Sequence, residues 1–411
     1  MKLVLYTHDF YKGGIDTFLF NLLNNKNIND QFNIELYTSL VHPSYNKYIN
    51  TFKSNIKIKR FFLVDISEII FFLNRKFKTS IFSKILIIIK YPLIFINTLV
   101  LFFWFILKKP NIFFFVSGGL PGPDINLSFL FAKALLKPIY NFKYIFNFHN
   151  FSANPQSKIK KIYLKFIFMI TYFLSDKLVT VSNSVILDTK KIYNLKSCDK
   201  LCFIHNGSKQ IIPLKKDNSN QLKTKFDINT NYCVFTILGT LDKRKGHRFL
   251  LEIYKNLLNT KKNSHLLICG DGSKEERDEL FDMINNLGIK KENISFLGYV
   301  DDVESLFLMT DILLIGSQFG ESFGFPAVEA MQRKIPFVST NFGGLDEVIT
   351  EGEGGYKTHY KYQKDFLEKI IKLTNLNSDE LYVLKDKGYK RYLMNFTDDI
   401  MSKKYRFMFL E

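Results

Sequence analysis

This sequence of 411 residues is poor in cysteine, proline and tryptophan, with 4, 10 and 1 of each. The cysteines stand at positions 198, 202, 233 and 269, none in a CxxC pair and none beside a paired His/Cys motif for zinc. That excludes a disulfide scaffold and a structural zinc module, and buried free thiols in a reducing compartment are expected. The composition also excludes fibrous and collagen-like chains. The opening MKLVLYTHDF lacks the apolar core of a signal peptide, which points to a cytoplasmic protein. No GxGxxG follows the first apolar run, so a nicotinamide dehydrogenase is disfavoured.

Acidic residues are scarce in one half only. Residues 1–200 hold 27 Lys+Arg against 10 Asp+Glu, whereas residues 201–411 hold 30 against 29. The formal net charge of +18 therefore has an address, and the two halves are different electrostatic objects. Such a charge suits nucleic acid, an anionic membrane face or a phosphorylated substrate. What is abundant is aromatic: 43 Phe and 21 Tyr in a chain 46% apolar and 23% charged, the balance of a globular protein. Length alone suggests two to three domains.

Short apolar runs alternate with longer helical stretches in both halves. Strands are predicted at Leu3–Thr7, Asn33–Thr38, Lys57–Leu63, Ile112–Val116, Tyr144–Phe148 and Leu178–Val181. After a break near Ile204–Asn206, a second series runs through Tyr232–Leu238, Leu266–Cys269, Ile294–Leu297, Ile312–Ile315 and Phe337–Ser339. Long separations between near-continuous apolar strands imply parallel pairing with crossover helices. The fold class expected is α/β, two Rossmann-like doubly wound parallel-sheet domains facing a central cleft. The first domain is placed at 1–206 and the second at 231–395. Residues 207–230, polar and without a period, read as a linker.

The run Ile85–Leu107 has its own reading. Seventeen residues between Lys90 and Lys108 are broken only by Asn97 and Thr98. A spanning helix needs about 20 apolar residues, so this run is short for one, and Pro92 lies near its start. A crossover helix packed in the domain and an interfacial helix with lysines among lipid headgroups remain open. Arg75, Lys76, Lys78, Lys84 and Lys90 upstream favour the interfacial alternative. So does 158–174, where Lys158, Lys160, Lys161 and Lys165 are mixed with IFMITYFL.

The densest chemistry lies in SQFGESFGFPAVEAMQRKIPFVSTNFGGLDEVI, residues 317–349. It follows the strand DILLIGS and enters a helix near Pro326, a residue suited to a first helical turn. A glycine-containing loop before a helix presents backbone N–H groups at the positive end of the dipole, an anion site suited to phosphate. Glu321 and Glu329 stand eight residues apart, a little over two helical turns, so both could face one cleft. A carboxylate can accept two hydrogen bonds from a vicinal diol.

This block resembles the E-x7-E signature of retaining GT-B glycosyltransferases, family 4. YKGGIDTFLFNLLN (11–24) resembles the family's glycine loop and first helix, and FNFHN (146–150) its strand-end histidine. DKLVTVSNSV (176–185), FIHNGSK (203–209), ILGTLDKRKGHRFLLEIY (237–254), LLICGDGS (266–273), ISFLGYVDDV (294–303) and GGLDEVI (343–349) resemble further landmarks, ordered over about 350 residues.

The resemblance implies a nucleotide-sugar donor bound mainly to the second domain. Glu329 would hold the ribose diol, and Glu321 hydroxyls of the transferred sugar. The N–H groups of Phe323, Gly324 and Phe325 would face donor sugar and phosphates, and Lys245 would neutralise the diphosphate as charge develops. Base contacts would come from the backbone near Tyr299 and Val300. The family often has Arg directly after the glycine of the lysine loop. Thr240 stands there instead, and Arg244 is the substitute proposed. Gly13 and Gly14 would admit the diphosphate close to the backbone, and His149 would sit near the donor sugar. No protein nucleophile is expected, since the donor phosphate would deprotonate the acceptor on the same face and give retention. No cofactor and no metal are expected. The C-terminal helix 396–411 would cross back onto the first domain, and hinge closure would exclude water.

The implied function is sugar transfer to a lipid-linked glycan acceptor in surface polysaccharide biosynthesis. Most of the charge lies in the half expected to hold the acceptor. A peripheral protein on the anionic inner face of the cytoplasmic membrane therefore fits better than a nucleic-acid binder, for which no recognition module is visible. A nucleotide-sugar epimerase of the same fold and a non-catalytic membrane-surface protein are the alternatives.

Overall fold

The computed structural model describes residues 1–8, 13–63, 65, 69, 81–153, 155–196, 198–212 and 219–411, with the backbone alone for 81–88. Tyr11 and Lys12 of the glycine loop, the basic residues Arg75, Lys76 and Lys78, and the side chain of Lys84 lie outside the described residues. The chain divides into two compact units, Met1–Gly207 with Asp398–Glu411, and Ser208–Thr397.

The first unit holds a seven-stranded sheet. Its strands are β1 (Lys2–His8), β2 (Asn33–Thr38), β3 (Lys57–Arg60), β4 (Ile112–Ser117), β5 (Lys143–Phe148), β6 (Lys177–Thr180) and β7 (Leu201–Phe203), all paired in parallel in the order β3-β2-β1-β4-β5-β6-β7. The central strands are apolar almost throughout because crossover helices cover both faces. All six residues of β4, IFFFVS, are buried. The core is largely aromatic: Phe61, Phe105, Phe113, Phe115, Phe129, Tyr144 and Phe146 meet in one cluster. Phe168 stacks on Tyr193 with ring centroids 4.0 Å apart. Edge-on contacts such as Phe105 against Phe113, with ring planes 89° apart, add further to the burial of large rings.

The crossover from β3 to β4 includes the helix Ile81–Lys108. By length and composition its stretch Ile89–Lys108, of mean hydropathy 1.8, could cross a membrane. One face is instead committed to the core through Leu101, Trp104 and Phe105. The opposite face, with Phe95, Leu99, Phe103 and Leu107, is exposed. Lys90 differs from the headgroup role read from its position. Its Nζ pairs with Asp124 Oδ1 at 2.7 Å and donates to Tyr163 Oη at 2.5 Å, on the helix Lys158–Leu174. Burial of a long apolar stem makes that inward pairing favourable.

The helix Asp398–Leu410 belongs to this first unit. Asn25 Nδ2 donates to Asp398 at 3.0 Å, and Lys143 Nζ to the Met408 carbonyl at 2.8 Å. Tyr405, fully buried, packs against Phe18 and Phe114.

The second unit repeats the plan with β8 (Cys233–Leu238), β9 (Ser264–Cys269), β10 (Ile294–Gly298), β11 (Ile312–Ile315), β12 (Phe337–Thr340) and β13 (Gly355–Thr358), all parallel in the order β10-β9-β8-β11-β12-β13. Two short edge strands, β7 and β13, were not anticipated from the sequence, and the predicted strand Lys57–Leu63 ends at Arg60. The supposed linker 207–230 also contains structure, the helix Ser219–Lys225. Lys223 Nζ anchors that helix by donating to the Tyr232 carbonyl and pairing with Asp311 at 3.2 Å.

Candidate functional site

In each sheet the strand order reverses direction once, between β1 and β4 and between β8 and β11. Loops leaving the carboxyl ends of strands at such a switch point diverge and open a ligand crevice. The sequence places its chemistry there in both units.

In the second unit the loop after β8 makes a short 3-10 turn, Lys243–Lys245, capped by Asp242, whose Oδ1 accepts from the Arg244 N–H at 3.0 Å. The loop after β11 carries Glu321. The two loops meet at its carboxylate: Lys245 Nζ lies 2.6 Å from Glu321 Oε2, and Ser317 Oγ donates to the same oxygen at 2.8 Å. Arg244 stands 3.7 Å from it and 3.4 Å from Asp242. Glu321 Oε1 has no partner among the described residues, which leaves it available to hydroxyl donors. Glu321 is only 6% exposed. Burial alone would raise its pKa, but Lys245, Arg244 and Ser317 together hold it below the ordinary value.

The Glu321 loop is shaped by close backbone contacts. Gly344 N–H donates to the Glu321 carbonyl at 2.8 Å, and a Cβ on Gly344 would stand 2.2 Å from the Ser322 carbonyl oxygen. Gly324, at φ +102°, caps the helix Phe325–Gln332, with Pro326 in its first turn. The left-handed conformation favours glycine. The N–H groups of Gly324 and Phe325 take no hydrogen-bond partner from the described residues, so this helix start can bind an anion. Phe323 is buried against Phe325 and Phe396.

Glu329 lies inside that helix, partly accessible, and its carboxyl has no hydrogen-bond or ion-pair partner among the described residues. Burial pushes it up to about 7, Arg333 opposes the shift and Glu304 adds to it. Arg333 itself is paired with Glu304. Tyr299 and Val300 follow β10, with Tyr299 half-exposed and Val300 partly buried.

In the first unit, Gly13 caps the helix Gly14–Leu23, and its N–H donates to Asp16 Oδ2 at 3.0 Å. Its φ of 175° is ordinary extended backbone, and an added Cβ would meet nothing within 4 Å. The chain itself therefore does not demand glycine at position 13. His149, at the carboxyl end of β5, is buried; its Nε2 lies 2.7 Å from Asn147 Oδ1 and its ring 4.5 Å from that of Phe18. Burial pushes its pKa down to about 3.

Lys245, Arg244 and Glu321 are thus brought together, and Phe323, Gly324, Phe325 and Glu329 stand on the adjoining loop and helix. Gly13 and Gly14 follow β1, and His149 follows β5, in the other unit. Ser317, Asp242 and Gly344 escaped sequence reasoning as supports of the site. A serine directly after DILLIG and four residues before Glu321 was a signal that could have been read. Among the described residues no group of three His, Cys, Asp or Glu could hold a metal ion. Cys269 is buried, its thiol pushed up to about 12.

Both sheets, with their order and helices, form the two-domain GT-B fold, shared with solved glycosyltransferase structures. One is from Rickettsia africae ESF-5, with TM-score 0.76, 19% identity and 99% and 97% of the two chains covered. Another is Anabaena Alr3699/HepE in complex with UDP and glucose, with TM-score 0.75, 14% identity and full coverage of both chains. Residues 218–391 match the family model of glycosyl transferases group 1. The N-acetyl-alpha-D-glucosaminyl L-malate synthase of Bacillus anthracis is 28% identical over 51% of this chain and 52% of its own length. The capsular polysaccharide biosynthesis glycosyltransferase CapM of Staphylococcus aureus is 28% identical over 56% and 60%. The chain spans about half the length of the curated relatives it matches.

Proposed function

We propose that this protein is a retaining glycosyltransferase. It moves a sugar from a nucleotide-sugar to a lipid-linked glycan acceptor in surface polysaccharide biosynthesis. The observation that carries this reading is the convergence of Lys245, Arg244 and Glu321 at the switch point of the second sheet, beside a helix start with open N–H groups. Two cations and those N–H groups suit a diphosphate, whose charge grows as the glycosidic bond breaks. Glu321 Oε1 suits sugar hydroxyls, and the unpartnered Glu329 suits a ribose diol. The backbone near Tyr299 and Val300 is assigned the base, and Gly13 and Gly14 the diphosphate. In the free protein Lys245 is engaged by Glu321, so donor binding must redirect the ammonium toward phosphate. Cationic side chains then take the place of a metal.

The similar proteins support the substrate classes. The Anabaena structure holds UDP and glucose, and the Staphylococcus aureus relative is named for capsular polysaccharide biosynthesis. For location, the helix Lys158–Leu174 exposes Ile159, Ile162 and Phe166 beside exposed Lys158, Lys160, Lys161 and Lys165. With the exposed stripe of Ile81–Lys108, this basic and apolar surface favours peripheral attachment to an anionic leaflet.

The test is incubation of labelled nucleotide-sugars with and without a lipid-linked acceptor, followed by product analysis. Acceptor-dependent transfer with the donor's anomeric configuration kept is the expected result. Conversion of the donor without acceptor would establish the epimerase reading, and no turnover with intact binding would favour a non-catalytic protein.

A further inference from the structure

His149 does not stand alone at the end of β5. Asn147, two residues earlier on the strand and fully buried, donates one amide hydrogen to the Val179 carbonyl at 3.2 Å and the other to Tyr405 Oη at 3.0 Å. A carbonyl oxygen can only accept, so the amide cannot be turned over without setting two acceptors against each other. The atom facing His149 Nε2 at 2.7 Å is therefore Asn147 Oδ1, and Nε2 must carry the hydrogen. A neutral imidazole protonated at Nε2 offers a lone pair at Nδ1. Nδ1 takes no partner among the described residues and is not fully enclosed by them. Tyr405 reaches this strand from the C-terminal helix, 258 residues further along the chain.

We propose that Tyr405 and Asn147 are positioning residues that fix His149 as its Nε2–H tautomer, so that Nδ1 serves as an acceptor for a sugar hydroxyl. Burial keeps the ring neutral, which removes it from the set of cations available to phosphate. The C-terminal helix thereby acts on His149 through a two-bond relay, in addition to covering the core. The hydroxyl as ligand rests on the glycosyltransferase reading, whereas the tautomer does not.

The test is a long-range 1H–15N correlation spectrum of the full chain carrying 15N-labelled histidine, with His149→Gln identifying the signal. The wild type is expected to show the Nε2–H form alone. Asn147→Ala, or Asn147→Ser if circular dichroism shows the alanine variant unfolded, is expected to give a mixture of both tautomers. Tyr405→Phe, which keeps the ring, is expected to give a smaller admixture. A wild-type Nδ1–H form, or an Asn147 variant with an unchanged tautomer, would overturn the proposal; an unchanged Tyr405→Phe spectrum would overturn the part assigned to Tyr405. Failure to find any sugar transfer would sink the functional reading while leaving these spectra to stand.

Discussion

Lys245→Met separates the structural part of the Lys245–Glu321 pair from its chemistry. The pair is 2.6 Å long, with side chains 16% and 7% exposed. Removing one partner of such a pair costs about 3–5 kcal/mol when nothing else compensates. Arg244 at 3.7 Å and Ser317 at 2.8 Å remain, so about 2 kcal/mol is expected. A unit of this size loses about 2–4 °C in Tm per kcal/mol, giving roughly 4–8 °C in its unfolding transition. The pH dependence carries a sign. In the wild type Glu321 is held below its unfolded value, so its contribution is present above that value and lost as pH falls through the folded pKa. In the variant burial is opposed only by Arg244 and Ser317, so the folded pKa lies higher than in the wild type and less of that contribution is present at neutral pH. The Tm gap between the two proteins should therefore widen as pH rises from acid toward pH 7. Turnover, with the diphosphate charge less well met, should fall on the order of 10²–10³-fold. A Tm gap independent of pH would refute the electrostatic reasoning, and full turnover would remove Lys245 from the chemistry.

Glu329 titrates the other way. Its folded pKa of about 7 lies above the unfolded value, so its contribution is present below that unfolded value and lost as pH rises through about 7. Glu329→Gln should thus be more stable than wild type above pH 7, by about 1–2 kcal/mol after allowance for its partial exposure. The wild type should bind a nucleotide-sugar more tightly as pH rises through 7, and the variant weakly and without that slope; parallel slopes in calorimetry would discount the ribose role. Gly324→Ala places a side chain at φ +102° with its Cβ 2.4 Å from Leu345 Cδ2, and should cost about 1–3 kcal/mol in chemical denaturation. Phe103→Glu with Phe166→Glu, both on exposed surface, should leave Tm unchanged and abolish flotation with anionic vesicles at low salt; retained flotation would place attachment elsewhere.

The sequence was most legible where one physical cause dominates. Central strands buried on both faces, such as IFFFVS at 112–117, read as unbroken apolar runs. The block around Glu321 was visible because glycine, Pro326 and carboxylates fall at the end of a strand. The edge strands β7 and β13 were not legible, being only three and four residues long and stabilised by a neighbour already in place. The helix Ser219–Lys225 has no apolar period and is held by Lys223 reaching Asp311, a tertiary cause that propensity does not contain. Lys90 looked like a headgroup lysine because its neighbours are apolar, whereas Asp124 draws it inward. The Tyr405–Asn147–His149 relay joins two distant parts of the chain and has no local signature at all.

The most direct test of the proposed donor site is calorimetric titration of a panel of nucleoside-diphosphate sugars into the wild type, Lys245→Met and Glu329→Gln. The expected result is preferential binding of one nucleotide class, weakened at least tenfold in each variant. Binding of none of the panel by the folded wild type, or equal binding by all three proteins, would contradict it.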